Sequence, residues 1–217
     1  MLVTSRSAAE YHAMFDLTPG DLAGPVLDCG AGGSSFAADT EGGVVAVDPA
    51  YVLGRHDLAV RVRAGLRDGD RIIDAHAVRF DWRWYGGPAR RAEMRRAAAD
   101  RFLSDLGERP HRYLAGALPN LPLASGRFDL VLCSHLLFTW SDRLDEDWHR
   151  RAIDELVRVA RRQVQIFPLV VQATAESVAF LDVLRTQLHA AGHRCDVRQV
   201  PYMFQRGADH MLVIDLP

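Results

Sequence analysis

Short apolar runs that end in acids, separated by glycine turns and helical stretches, set the plan of this chain. Val26-Leu27 leads into Asp28, and Val44-Val45-Ala46-Val47 leads into Asp48. Phe128-Asp129-Leu130-Val131-Leu132-Cys133 and Val164-Gln165-Ile166-Phe167 repeat the short apolar form, and Pro168 stops the second. Runs of this length bounded by turn residues predict buried strands. A further strand is predicted over about His111–Ala115, and two final ones over about Cys195–Val200 and Met211–Leu216 form an antiparallel hairpin.

Helical periodicity fills the spaces between these runs. Ser5–Phe15 predicts a helix with Ala9, His12, Met14 and Phe15 among its inward positions, ended by Thr18-Pro19-Gly20. A short helix is predicted over about Ser34–Asp39. Longer ones follow over Arg55–Leu66, Pro88–Leu106 with Gly107 as stop, Asp142–Arg162 and Ser177–Ala191 with Gly192 as stop. Trp148, Ile153, Leu156 and Val159 define the inner face of the Asp142–Arg162 helix. Strands alternating with helices predict an α/β fold. The sixty or so residues between the second and third strands are too many for an ordinary connection. They read as a helical cap, residues 51–110, inserted within a single domain spanning 1–217.

The chemistry is concentrated at the first turn. Asp28-Cys29-Gly30-Ala31-Gly32-Gly33-Ser34 is a strand end, a glycine turn and a helix start in succession. Glycines there admit positive φ and a close backbone approach to a ligand, and the helix start offers free N–H groups. Asp48, 20 residues after Asp28, ends the second strand, where an acid accepts ribose hydroxyls. Together they predict a nucleoside-containing cofactor across the first two strands.

Bulk properties narrow the class. The chain has 217 residues, 48% hydrophobic and 25% charged, as in an ordinary globular domain. Net charge is -2, which gives no case for a nucleic-acid or membrane partner. All 26 basic residues are arginine. Nine arginines and five acids lie between Arg79 and Arg112, read first as a solvated helix face. Cys29, Cys133 and Cys195 have neither metal nor disulfide-framework spacing. His76 and Asp81 lack a third ligand, so no metal is expected. The first residues have no apolar signal core and no run has membrane-span length, so a soluble, cytoplasmic protein is expected. Nothing in the sequence sets an oligomeric state.

With these pieces in order, the chain resembles the class I S-adenosylmethionine (SAM)-dependent methyltransferases. The acid-x-Gly-x-Gly-x-Gly motif of that family matches Asp28–Ser34, with Ser34 at the third glycine. Its ribose-binding acid matches Asp48. Its Leu-Pro-Phe…Ser-Phe-Asp-Leu-Val segment matches Leu121-Pro122-Leu123 through Arg127-Phe128-Asp129-Leu130-Val131, followed by Ser134-His135.

The resemblance implies a seven-stranded Rossmann-like sheet with a C-terminal antiparallel hairpin and the helical insertion after strand 2. It implies SAM as cofactor and methyl transfer to a small-molecule acceptor. Asp28, Gly30, Ala31 and Gly32 would shape the methionine and ribose pocket, with Asp48 and Pro49 at the ribose. The family often has an acid for the adenine amino group where this chain has Ala117, which leaves adenine to Leu118 and neighbouring backbone. Ser134 and His135 would flank the transferring methyl, His135 and Tyr85 are the candidate catalytic groups, and Tyr11 would close the pocket.

The aromatic run Phe80-Asp81-Trp82-Arg83-Trp84-Tyr85 is either the core of the insertion or a lid, in which Trp82, Trp84 and Tyr85 would stand over the sulfonium. Two other functions stay open at this point. One keeps SAM but cyclises its aminobutyrate part and releases methylthioadenosine. The other is a nicotinamide-dependent oxidoreductase, although Ser35 stands where Gly-x-Gly-x-x-Gly has its last glycine.

Overall fold

The computed structural model describes residues 3–217. Its seven strands are β1 (Val26–Cys29), β2 (Val44–Asp48), β3 (Tyr113–Ala115), β4 (Phe128–Ser134), β5 (Ala160–Phe167), β6 (Arg194–Gln199) and β7 (His210–Asp215). They form one sheet in the order β3-β2-β1-β4-β5-β7-β6. Pairing is parallel from β3 through β5, and β7 runs antiparallel to both β5 and β6. The predicted Rossmann-like sheet with its antiparallel hairpin is therefore present.

The helices are α1 (Ala8–Phe15), α2 (Phe36–Asp39), α3 (Arg55–Ala75), α4 (Pro88–Glu108), α5 (Glu146–Val159) and α6 (Leu181–Ala190). Alternate residues along each strand point to opposite faces. Val26, Val44, Ala46, Leu130 and Leu132 pack with side chains from α1 to α4 in one core. Leu27, Val47, Val131, Cys133 and Val164 pack with α5 and α6 in the other. The three cysteines are buried and free.

The chain winds outward from β1 to β3, then returns across β1 to β4. Such a reversal leaves a crevice at the carboxyl ends of the two strands, the usual ligand position in open α/β sheets. Asp28 and the glycine turn leave β1 there, and Ser134-His135 leave β4 beside them. The two long helices between β2 and β3, α3 and α4, pack on each other.

The elements differ from expectation at their ends. In α1 the buried face is Glu10, Tyr11, Met14 and Phe15, while Ala9 and His12 are exposed. Hydrophobicity alone misplaces that face because a charged residue, Glu10, is the one that is paired inside. Helix α3 runs on to Ala75, and α4 passes through Gly107. Gly107 does not stop its helix; it makes room for the Arg55 guanidinium. Helix α5 is shorter than its charge pattern suggests, since Asp145 caps it by accepting from the Trp148 N–H (2.8 Å). Nor are the arginines of α4 simply solvated. Arg91 and Arg95 are buried, and Arg101 and Arg109 both donate to the Ala38 carbonyl at the end of α2.

Candidate active site

At the glycine turn the backbone needs left-handed geometry, with φ +74° at Gly30 and +59° at Gly32. The Gly30 and Ala31 N–H groups donate to the Val47 carbonyl (2.8 and 3.2 Å), tying the turn to the end of β2. Asp48 completes the tie. Its Oδ2 accepts from the Gly32 N–H (3.0 Å) and its Oδ1 from the Ala50 N–H (2.8 Å). Pro49 then opens a 3-10 turn over Pro49–Val52. Asp48 thus serves the backbone first, and each of its oxygens keeps lone-pair capacity for another donor. Burial raises its pKa, while the two N–H bonds hold it back.

Asp28 is fully buried at the end of β1. Tyr11 of α1 donates to its Oδ1 (2.9 Å), and its Oδ2 has no partner among the described residues. Burial pushes this carboxyl up to about 7; the Tyr11 bond and Arg6 lower it, and Asp48 raises it. Tyr11 itself stacks on Phe36 (4.6 Å between centroids), and burial followed by the Asp28 charge lifts its phenol well above the usual range. Ala31 lies buried in the turn.

Beyond β4, His135 stands at φ +55°, a backbone strain common at functional sites in a residue other than glycine. Its N–H donates to the Phe167 carbonyl (2.7 Å), and its Nδ1 pairs with the Ser134 hydroxyl (2.8 Å). No hydrogen bond is made by its Nε2 among the described residues. Burial, then Arg6 and Arg95, holds the imidazole well below its usual pKa, so it is neutral near pH 7.

A buried polar cluster closes the crevice on the side of α1 and α4. Glu10 Oε1 meets Arg95 (2.7 Å) and the Tyr85 hydroxyl (2.5 Å). The Tyr85 hydroxyl also meets that of Tyr202 (2.8 Å) and receives Arg95 (3.2 Å). Burial works against the Arg95 charge, but Glu10, Tyr85 and Tyr202 more than offset it, and its pKa is raised. Arg6 lies beside the cluster with a lowered pKa, caused by burial and then by Arg95. It donates to the Thr4 hydroxyl (2.8 Å), and its Nε has no partner among the described residues.

The structure sorts the aromatic run in two. Trp82 and Trp84 pack on the β6–β7 connection, against Phe204 (5.2 Å) and Tyr202 (5.0 Å) respectively. Tyr85 alone reaches the polar cluster. Ala117 is exposed and Leu118 half-buried on the loop after β3. The sequence reading missed Arg6, Glu10, Arg95 and Tyr202. The Ser7-x-x-Glu10 spacing does carry a signal, a capping box, and both its bonds form. Arg6 and Arg95 look like any other arginine of this chain, and Tyr202 lies in a loop with no motif.

Residues 90–167 match the family described as "Methyltransferase domain". An uncharacterised protein of Methanocaldococcus jannaschii is 23% identical over 217 residues, covering 98% of this chain and 95% of its own. Magnesium protoporphyrin IX methyltransferase from Synechocystis PCC 6803, solved with bound SAM, is 14% identical with a TM-score of 0.49 and covers 91% of this chain and 73% of its own. A TehB-like SAM-dependent methyltransferase from Corynebacterium glutamicum is 14% identical with a TM-score of 0.48, covering 96% and 85%. The methyltransferase family match thus runs from α4 through β5, about a third of the chain.

Proposed function

We propose that the chain is a SAM-dependent methyltransferase acting on a small-molecule acceptor. The observation that carries this reading is the unsatisfied Oδ2 of Asp28. It is a carboxylate oxygen buried at a glycine turn with no partner among the described residues, beside an Arg6 that pairs with no acid. A buried carboxylate oxygen left incomplete is costly unless a ligand completes it, and the half-buried Arg6 offers a guanidinium beside it. An amino-acid zwitterion does so, with its ammonium on Asp28 and its carboxylate on Arg6. Asp48 and Ala50 would hold the ribose, and Leu118 with its neighbours the adenine.

The bound cofactor supplies a methyl group made electrophilic by its sulfonium. The chain supplies alignment and a dry site. His135, neutral and with Nε2 free, would take the proton of an acceptor hydroxyl or amine, with Ser134 fixing the ring through Nδ1. Tyr85 is kept protonated by burial and by Glu10, and so acts as a hydrogen-bond donor, not as a base.

Titration calorimetry with S-adenosylhomocysteine (SAH), the product left when SAM gives up its methyl group, tests the cofactor reading. The parent should bind, with affinity at least 10-fold weaker in Asp48→Ala. Incubation with methyl-labelled SAM and a fractionated small-metabolite pool should then yield SAH and one labelled product. Methylthioadenosine formed without any acceptor would overturn methyl transfer, and no SAH binding by the parent would overturn the cofactor reading.

A further inference from the structure

We infer that His149 of α5 is a positioning residue for His135, acting through one ring tautomer. This rests on the reading above, in which His135 takes the acceptor's proton. The loop that leaves β4 carries two residues other than glycine in left-handed backbone, His135 (φ +55°) and Phe138 (φ +59°). Such backbone persists only where its surroundings hold it. At the near end, the His135 N–H donates to the Phe167 carbonyl (2.7 Å). At the far end, the Phe138 N–H donates to Nε2 of His149 (3.0 Å). No other acceptor meets that N–H among the described residues.

The ring's other nitrogen explains why an imidazole serves there. Nδ1 lies 2.8 Å from the Asp145 carbonyl oxygen. A carbonyl only accepts, so Nδ1 carries the proton, and Nε2 of the neutral ring is left as an acceptor. Two neighbours thus select one tautomer. Burial lowers the pKa of the ring against the pull of Asp145, which keeps it neutral near pH 7. The side chain is fully buried, stacked on Phe138 (5.5 Å between centroids) and flanked by Phe180 (4.9 Å). Water cannot replace Nε2 in such a place, so a side chain without an acceptor would leave the Phe138 N–H unpaired.

The loop carries this contact across the end of the sheet. Leu137 and Phe138 are buried in the core beneath α5 and α6, whereas His135 packs edge-on to Phe167 (5.4 Å) of the other core. Between them Leu136 lies against Gly30 of the glycine turn, where a Cβ would stand 3.0 Å from its Cδ2. Phe138 is therefore the anchor, and His135 with Leu136 is the span that it holds over the crevice. His149 meets the anchor, so its part in the reaction is to fix where the His135 ring stands.

Ring-nitrogen NMR of the parent is the first measurement. His149 should show the Nδ1–H tautomer, and the Nε2–H tautomer would overturn the inference. His149→Phe keeps the stacking and removes the acceptor, while His149→Gln puts an amide oxygen near the place of Nε2. The inference expects His149→Phe to lose hydrogen-exchange protection at the Phe138 amide and to shift the His135 ring resonances. It should form SAH from SAM and the product-yielding metabolite fraction at least 10-fold more slowly, with protection across β1 and β5 retained. His149→Gln should restore the resonances and bring the rate within 3-fold of the parent. A parent-like rate in His149→Phe despite lost Phe138 protection would overturn the inference, as would a slow His149→Gln whose Phe138 amide is protected. Should His149→Phe fail to fold, His149→Asn, with an amide too short to reach Phe138, takes its place. If no fraction yields SAH with the parent, the methyl-transfer reading falls, while the His135 ring spectra of the variants still decide the positioning.

Discussion

Asp28 makes the protein's response to pH legible at the scale of one side chain. Its carboxyl is raised by burial to about 7, against an ordinary value of 3.8. Between those values the folded protein binds a proton that the unfolded chain has released. Stability of the ligand-free protein should therefore fall as pH rises through that window, by on the order of a few kcal/mol, and Asp28→Asn should flatten the dependence. Denaturant midpoints at pH 5 and pH 8 measure it. Ligand binding should run the opposite way. An ammonium needs the ionised form, so SAH affinity should rise several-fold from pH 6 to pH 8 in the parent and stay level in Asp28→Asn. His135 adds nothing to the binding dependence because its imidazole is already neutral in the folded protein. In unfolding it opposes Asp28, since below about pH 6.5 the unfolded chain takes up a proton there that the folded one does not.

Helix α1 is the element on which most of the site depends. Its N-terminus is closed by the Ser7–Glu10 capping box, and the same Glu10 forms the buried pair with Arg95 of α4. Ser7→Ala should cost about 1 kcal/mol, the usual value for a lost N-cap. Glu10→Gln should cost about 3–5 kcal/mol, because it leaves the Arg95 charge buried. The double variant Glu10→Leu with Arg95→Met should recover most of that loss, as read from urea unfolding. At this scale much was visible beforehand. The order of strands, the glycine turn and Asp48 follow from apolar runs and turn chemistry, which are local properties of a sequence. The inner face of α1 was visible only in part: Met14 and Phe15 are inside as expected, but Glu10 is inside only because Arg95 arrives from a position 85 residues later. The close approach of Val3 to α3 was invisible for the same reason. Gly65 looks like a weak point of a helix until Val3 is seen lying against it.

Across the whole molecule, two distant segments, residues 79–85 and 202–206, meet beside the polar cluster. Asp81 donates from its N–H to the Phe204 carbonyl (2.7 Å), and Arg206 returns the bond to the Arg79 carbonyl (3.0 Å). Tyr202 carries the junction inward to Tyr85. Tyr202→Phe should leave the fold intact at a loss of about 0.5–1.5 kcal/mol, the net worth of one buried hydrogen bond. Tyr85 would keep Glu10 and Arg95, so SAH affinity should change less than 3-fold, and calorimetry would show it.

The placement of β7 between β5 and β6 has a kinetic meaning. The β6–β7 ribbon closes over the short Val200–Asp209 connection, whereas β7 reaches β5 across some fifty residues of chain. Near pairings form faster than far ones. The ribbon is thus expected to assemble on its own and dock late, carrying Tyr202 and Phe204 with it. Completing the sheet and walling the crevice are then a single event in refolding, and a chain halted before it would hold its nucleoside end without its roof.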